Sequence, residues 1–212
     1  MSETLDKATN ALPDGDDEGA GELESEERTE QEELDPEVAA RRRAALAHVR
    51  KWGDPVLKTK ARPVDRFDDQ LRAEVARMGA LMNDALGIGL AATQVGVLHR
   101  VLVYRVQPQA QVSALVNPKL EWHSGEEEIA EEGCLSLPAV LVEVERPVHI
   151  RVSAQDEHGE QIEVEASGLE ARVIQHEMDH LDGVLILNRT TRDQRKQAIR
   201  ALNEWQPSSE RT

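Results

Sequence analysis

The chain is poor in cysteine, in aromatic residues and in basic residues, and each shortage excludes something. Its 212 residues include one cysteine, Cys134, which rules out an intrachain disulfide framework and fits a reducing compartment. Aromatic residues make up 2% of it, so Val, Leu, Ile and Ala must fill the core. No stretch approaches the roughly 18 consecutive apolar residues of a membrane-spanning helix, and no membrane partner is expected. Lys and Arg number 25 against 41 Asp and Glu, a formal net charge of −16, which argues against duplex DNA as a partner. A soluble, cytoplasmic protein is the expectation.

The charge is unevenly placed. Residues 1–35 hold 14 acids and two bases, Lys7 and Arg28, a sum of −12; residues 36–212 carry the remaining −4. The first segment has no apolar periodicity and is dominated by Gly, Pro and acids. Such a segment buries too little apolar surface to offset its ordering entropy, so residues 1–35 are expected to be a disordered acidic tail and residues 36–212 the folded domain. Neither a signal peptide nor a transit peptide has this composition.

In the folded part, Asp35-Pro36 reads as an N-cap followed by proline at the first helical position, opening a helix with Val38, Ala45, Val49 and Trp52 on one stripe, ended by Gly53. An extended stretch is expected around Asp54–Leu57. A second helix over 66–86 carries Leu71, Val75, Met78, Met82 and Ala85 at spacings of three and four. Gly87–Gly96 reads as a loop. The period then changes to two, predicting strands at Val97–Val106, Ala114–Val116, Lys119–His123, Val140–Glu145, Val148–Ala154 and Gln161–Glu165. A third helix opens at Ser167, which forms a capping-box pattern with Glu170, and closes near Gly183; a fourth runs from Thr191 to about Trp205. Strands in the middle with helices at both ends predict an α+β domain with a mostly antiparallel sheet.

The third helix carries His176-Glu177-Met178-Asp179-His180. Residues i and i+4 lie one turn apart on one face, so both imidazoles can reach a single metal ion, and Glu177 can approach a water on that ion. Leu169 and Val173 continue the stripe, which points the pair inward. Two histidines leave a catalytic site one protein ligand short. The longer HExxHxxGxxH pattern is excluded because its last position is Ile186. Two candidates remain: Glu204, as in a thermolysin-like zinc endopeptidase, or Cys134 in Glu131-Glu132-Gly133-Cys134-Leu135-Ser136-Leu137-Pro138.

Three segments, Gly87–Gln94 (GIGLAATQ), Glu132–Ser136 (EGCLS) and Gln175–Gly183 (QHEMDHLDG), together resemble the three signature motifs of peptide deformylase. The resemblance covers roughly residues 48–205. It implies the deformylase α+β fold, mostly antiparallel strands around a central HExxH helix. It also implies that Cys134, His176 and His180 bind one divalent metal, usually Fe²⁺, with Zn²⁺, Ni²⁺ or Co²⁺ as alternatives. Removal of the formyl group from N-formylmethionyl nascent peptides, releasing formate, is the implied reaction. Glu177 would be the general base, and the Leu135 N–H and the Gln94 amide would stabilise the oxyanion. Gly89 would admit the peptide backbone, and Ile88 and Val173 would line the methionine pocket. Glu132 and Arg146 are expected to pair behind the metal.

The last helix places Arg192, Lys196 and Arg200 on one face, with Arg189 and Arg195 close by. For an enzyme of nascent chains, this basic stripe suggests contact with ribosomal RNA. The three tryptophans are expected to be packing residues.

Overall fold

The computed structural model describes residues 34–205. The acidic-tail reading therefore lies, through residue 33, outside the described residues. Helix α1 (Pro36–Leu46) begins where expected, with the Asp35 carboxylate accepting from the Glu37 and Val38 N–H groups. It stops at Leu46, short of the predicted stripe to Trp52. The residues beyond it are drawn into main-chain pairing with distant segments: the Arg50 N–H donates to the Gln94 carbonyl and the Trp52 N–H to the Ser136 carbonyl. The stretch expected to be extended contains a 3-10 turn, Pro55–Lys58, capped by the Asp54 carboxylate.

Helix α2 (Asp69–Asp84) is capped by Asp68 and buries Leu71, Val75, Met78 and Met82, the predicted stripe. The glycine-rich loop after it is more ordered than its sequence suggests. Strand β1 (Gly89–Ala91) is followed by a 3-10 turn, Ala92–Val95, which ends at Gly96 with φ +82°. The remaining strands are β2 (Val101–Tyr104), β3 (Ser113–His123), β4 (Glu127–Cys134), β5 (Leu137–Pro147), β6 (His149–Gln155) and β7 (Gln161–Ser167). Helix α3 (Gly168–Leu181) and helix α4 (Arg192–Glu204) complete the domain.

Two sheets result. One has five strands in the order β1-β2-β3-β6-β7, all antiparallel; the other is the β4–β5 hairpin. The two segments predicted on either side of Asn117-Pro118 form one continuous strand, β3. Its register against β6 shifts at that dipeptide, and the Asn117 side chain bonds both polar groups of the Val64 backbone.

Successive strand residues point to opposite faces. Leu102 and Tyr104 of β2 accordingly pack with Ile174, Met178 and Leu181 of α3, while Val101 and Val103 pack with Met78 and Met82 of α2. The five-stranded sheet is thus covered on both faces, with α3 on one and α2 on the other. A third cluster joins Val140, Val142 and Val144 of the hairpin to Leu185–Leu187 and to Ala198 and Leu202 of α4.

The capping box predicted for α3 does not form. Ser167 is the last residue of β7, opposite His149, and Gly168 takes φ +54°, so the hydroxyl makes no cap bond. Leu169, expected inward, is 55% exposed, and Trp122, expected to pack, is 51% exposed on the outer part of β3.

Candidate functional site

The site forms where α3, the end of β4 and the β1 segment meet. His176 and His180 project from one face of α3 with ring centroids 5.0 Å apart. Cys134 ends β4, at the edge of the turn into β5, and its Sγ lies 3.2 Å from His180 Nε2. One ligand atom from each of Cys134, His176 and His180 lies within 4.8 Å of the others; among the described residues no other group of His, Cys, Asp and Glu does this. Ligands 2.0–2.3 Å from a tetrahedral ion sit roughly 3.3–3.6 Å from one another, so this trio closes on a metal with small adjustments.

The lowered Cys134 thiol favours the ligand form, whereas His176 must release a proton before it can ligate. Burial pushes the Cys134 thiol up, but His180 and His176 beside it outweigh burial and hold it well below the ordinary thiol range. Burial pulls His176 down, and its contacts with Cys134 and Glu132 raise it well above the usual imidazole value. A thiolate between two imidazoles is a set of soft and borderline donors suited to a first-row divalent ion. His176 Nδ1 is 2.9 Å from Glu132 Oε2, which turns Nε2 toward the trio and fixes the ring.

Glu177 is 4% exposed and lies beside this cluster. Burial raises its pKa, partly opposed by His176 and His180. Its Oε2 is buried with no hydrogen-bond partner. An unpartnered buried carboxylate oxygen marks a place where a water or substrate proton belongs. Gly89 faces this carboxylate so closely that a Cβ there would overlap it, which is why glycine occupies the position.

Gln94 is 1% exposed. Its Oε1 accepts from the Ala91 N–H at 2.8 Å, so the amide nitrogen must face the other way, toward Ser136 Oγ at 3.3 Å and Cys134 Sγ at 3.6 Å. Leu135 follows Cys134 directly, and its carbonyl oxygen accepts from Lys51 Nζ at 2.9 Å. A cleft of about 1250 Å³ opens over the site, with Leu86, Ile88, Leu135, Leu141, Leu169 and Val173 as its apolar lining. The nine residues singled out from the sequence (Ile88, Gly89, Gln94, Cys134, Leu135, Val173, His176, Glu177 and His180) all lie at this cleft or directly behind it. Glu204 does not: it is exposed at the end of α4 and outside the donor group, so it is no third ligand.

Behind the trio lies a buried ionic cluster. Arg146 pairs with Glu132 through two bonds, at 2.6 and 2.9 Å, as expected. Three further members were not anticipated. Arg172 Nη1 donates to Glu132 Oε1 and to the Val144 carbonyl, both at 2.9 Å. Asp179 accepts from Arg146 at 2.9 Å and from Arg189 at 3.1 Å. Arg189, its side chain half exposed, thereby pairs with Asp179 rather than joining the basic stripe of α4. Burial works to raise Glu132, but its bonds from His176 and Arg146 hold it down to about 2, so it is ionised whenever the protein is folded at neutral pH. Asp179 was legible in principle: an acid one residue before an inward histidine needs a buried cation.

Comparisons with known proteins place the chain among relatives of one family. The sequence profile of the polypeptide deformylase family matches residues 46–196. The chain is 42% identical over 166 residues to a peptide deformylase of Parafrankia sp. (strain EAN1pec), covering 78% of this chain and 90% of that one. It is 48% identical over 144 residues to that of Thermotoga neapolitana, covering 68% and 87%. Among solved structures, a peptide deformylase from Synechococcus elongatus in complex with actinonin superposes with a TM-score of 0.70 at 43% identity, over 73% of this chain and 86% of that one. One from Legionella pneumophila gives 0.73 at 34% identity, over 77% and 97%.

Proposed function

We infer the chemistry of this site from one premise: the chain belongs to the polypeptide deformylase family. It is a metal-dependent hydrolase that removes the N-formyl group from nascent polypeptides, and residues 36–212 are its catalytic domain. Cys134, His176 and His180 hold the metal. The observation that carries this assignment is their donor trio beside a buried carboxylate oxygen that has no partner. Thiolate and imidazole donors accept several first-row ions, and the family resemblance favours Fe²⁺ over Zn²⁺, Ni²⁺ or Co²⁺. Once bound, a divalent cation supplies Lewis acidity toward water and toward the formyl carbonyl.

The chain's own groups do the rest. Glu177 Oε2 accepts a proton from the attacking water and returns it to the departing amine nitrogen. Water adds to the formyl carbon, the C–N bond breaks, and formate and a free methionyl amino group leave. Gln94 Nε2 and the Leu135 N–H donate to the oxygen that gains negative charge. Gly89 lets peptide backbone lie against Glu177. Ile88, 45% exposed, and Val173, 5% exposed, flank the apolar slot for the methionine side chain.

The test is formate release from a formyl-Met peptide by anaerobically purified protein of measured metal content. Formate should scale with bound metal and disappear after chelation; metal-loaded protein that releases none overturns the reading.

The working place of such an enzyme is the cytoplasm, where formylated chains emerge. Helix α4 exposes Arg192, Arg195, Lys196 and Arg200 while Ala198 and Leu202 pack inward, leaving its basic face free for ribosomal RNA. Reversing these four charges should reduce co-sedimentation with ribosomes at low salt; unchanged pelleting would remove this contact from the account.

A further inference from the structure

Three consecutive residues, Arg50, Lys51 and Trp52, run alongside both segments that carry the assigned oxyanion donors. The Arg50 N–H donates to the Gln94 carbonyl at 2.7 Å, and the Trp52 N–H donates to the Ser136 carbonyl at 2.9 Å. Between these two main-chain bonds Lys51 extends a half-buried side chain along the cleft, and its ammonium donates to the Leu135 carbonyl oxygen at 2.9 Å. The Arg50 side chain also lies against Gly96, at the end of the turn that carries Gln94, so closely that a Cβ there would strike it.

The Leu135 segment needs such support. Leu135 and Ser136 form the two-residue turn of the β4–β5 hairpin, beyond its last pair Cys134–Leu137, so no strand pairing holds Leu135. A lysine that stays half-buried gives up hydration and rotamer freedom. Here its hydrogen bond goes to a neutral carbonyl 84 positions away in the chain, which is not the pattern of a surface ion pair.

We propose that Lys51 is a positioning residue for deformylation: it holds the Leu135 main chain in place, so that the Leu135 N–H stays aimed at the developing oxyanion alongside Gln94. This rests on the assignment of Leu135 and Gln94 as oxyanion donors. Donors of this kind act only when preorganised, and removing one outright costs about 10²–10³ in kcat. Lys51 holds the Leu135–Ser136 peptide, one unit beyond the Leu135 N–H and joined to it through the Leu135 Cα, so its loss should cost less, about tenfold.

Lys51→Met keeps the alkyl stem and removes the ammonium; Lys51→Arg keeps a donor. In the formate assay, Lys51→Met should lower kcat about tenfold with KM within about twofold, and with metal content and melting temperature unchanged. Lys51→Arg should recover most of that kcat. Unchanged kcat in Lys51→Met, a loss confined to KM, or equal impairment of the two variants overturns the proposal. Wild-type enzyme in the same assay separates the two levels: if it releases no formate, deformylation itself is wrong, whereas an active wild type matched by Lys51→Met sinks only the role of Lys51.

Discussion

Glu177→Gln should lower kcat for formate release by about 10³-fold, within the 10²–10⁴ that a positioned general base contributes. The substitution keeps the shape of the side chain and removes its capacity to take a proton. The proposed metal ligands Cys134, His176 and His180 are untouched, so metal content should match the wild type. The structure also sets an expectation for stability. The Glu177 carboxylate is buried, its Oε2 has no partner, and burial, followed by the nearby Cys134 and Glu132, raises its pKa. Keeping a carboxylate ionised there opposes folding. Glutamine removes that charge, so the inactive variant should melt at the same temperature as the wild type or higher. A site selected for activity over stability behaves this way. A variant that keeps more than a tenth of wild-type kcat would place the base elsewhere.

The second large effect falls on a residue that does not reach the reacting atoms. Glu132 is 6% exposed and accepts from Arg146, Arg172 and His176. Glu132→Gln leaves Arg172 without its buried carboxylate and leaves Arg146 with Asp179 alone, which it shares with Arg189. Breaking a buried ion pair from one side typically costs about 3–5 kcal/mol, because the remaining charge stays buried and uncompensated. Urea unfolding should show a loss of that order. His176 also loses the carboxylate that orients its ring, and the loss of such a partner typically weakens metal binding about 10–100-fold. Competition against a chelator should show it. Arg146→Met should cost less, since Glu132 keeps Arg172 and Asp179 keeps Arg189. A Glu132→Gln variant as stable as the wild type, with unaltered metal affinity, would mean the cluster is not what holds the site.

Much of the site was readable from the sequence because its chemistry is local. His176 and His180 lie one turn apart on any helix, and Glu177 follows from its place between them. Cys134 was harder to place: by itself it was one of two candidates for the third ligand, and only the motif around it favoured it over Glu204. The ionic cluster shows why the remainder was hidden. Arg172 reaches Glu132 across 40 positions and Arg146 reaches Asp179 across 33, and a charged residue on a helix reads by default as solvated.

The fold shows a similar division. Helix α2 was legible because one of its faces is wet and the other buried, which imposes a period on the sequence. Strand β1 escaped notice because all three of its residues are buried, with Leu90 and Ala91 serving opposite faces, so no alternation marks it. Strand β4 escaped for the opposite reason: apart from Glu132 it has no fully buried residue, and its Glu-rich sequence resembles a loop. The end of α1 was decided by the bonds from Arg50 and Trp52 to distant carbonyls, which no local pattern announces.

The division into two sheets has a consequence for how long the catalytic arrangement lasts. The β4–β5 hairpin shares no strand with the five-stranded sheet. It carries Glu132 and Cys134 within β4, with Leu135 directly after it, whereas His176, Glu177 and His180 belong to α3. An opening that lifts only the hairpin would therefore dismantle the site in one step while leaving the larger sheet intact. Its grip comes from the ionic cluster and from Val140, Val142 and Val144 packed on Leu185–Leu187 and α4. On its outer side, Gln194 of α4 accepts from the Glu143 N–H at 2.8 Å. Were the hairpin to open as one cooperative unit, its opening free energy would lie below that of global unfolding, and the working lifetime of the enzyme would follow it. Helix α4, packed on β5, would then act as the latch on that unit.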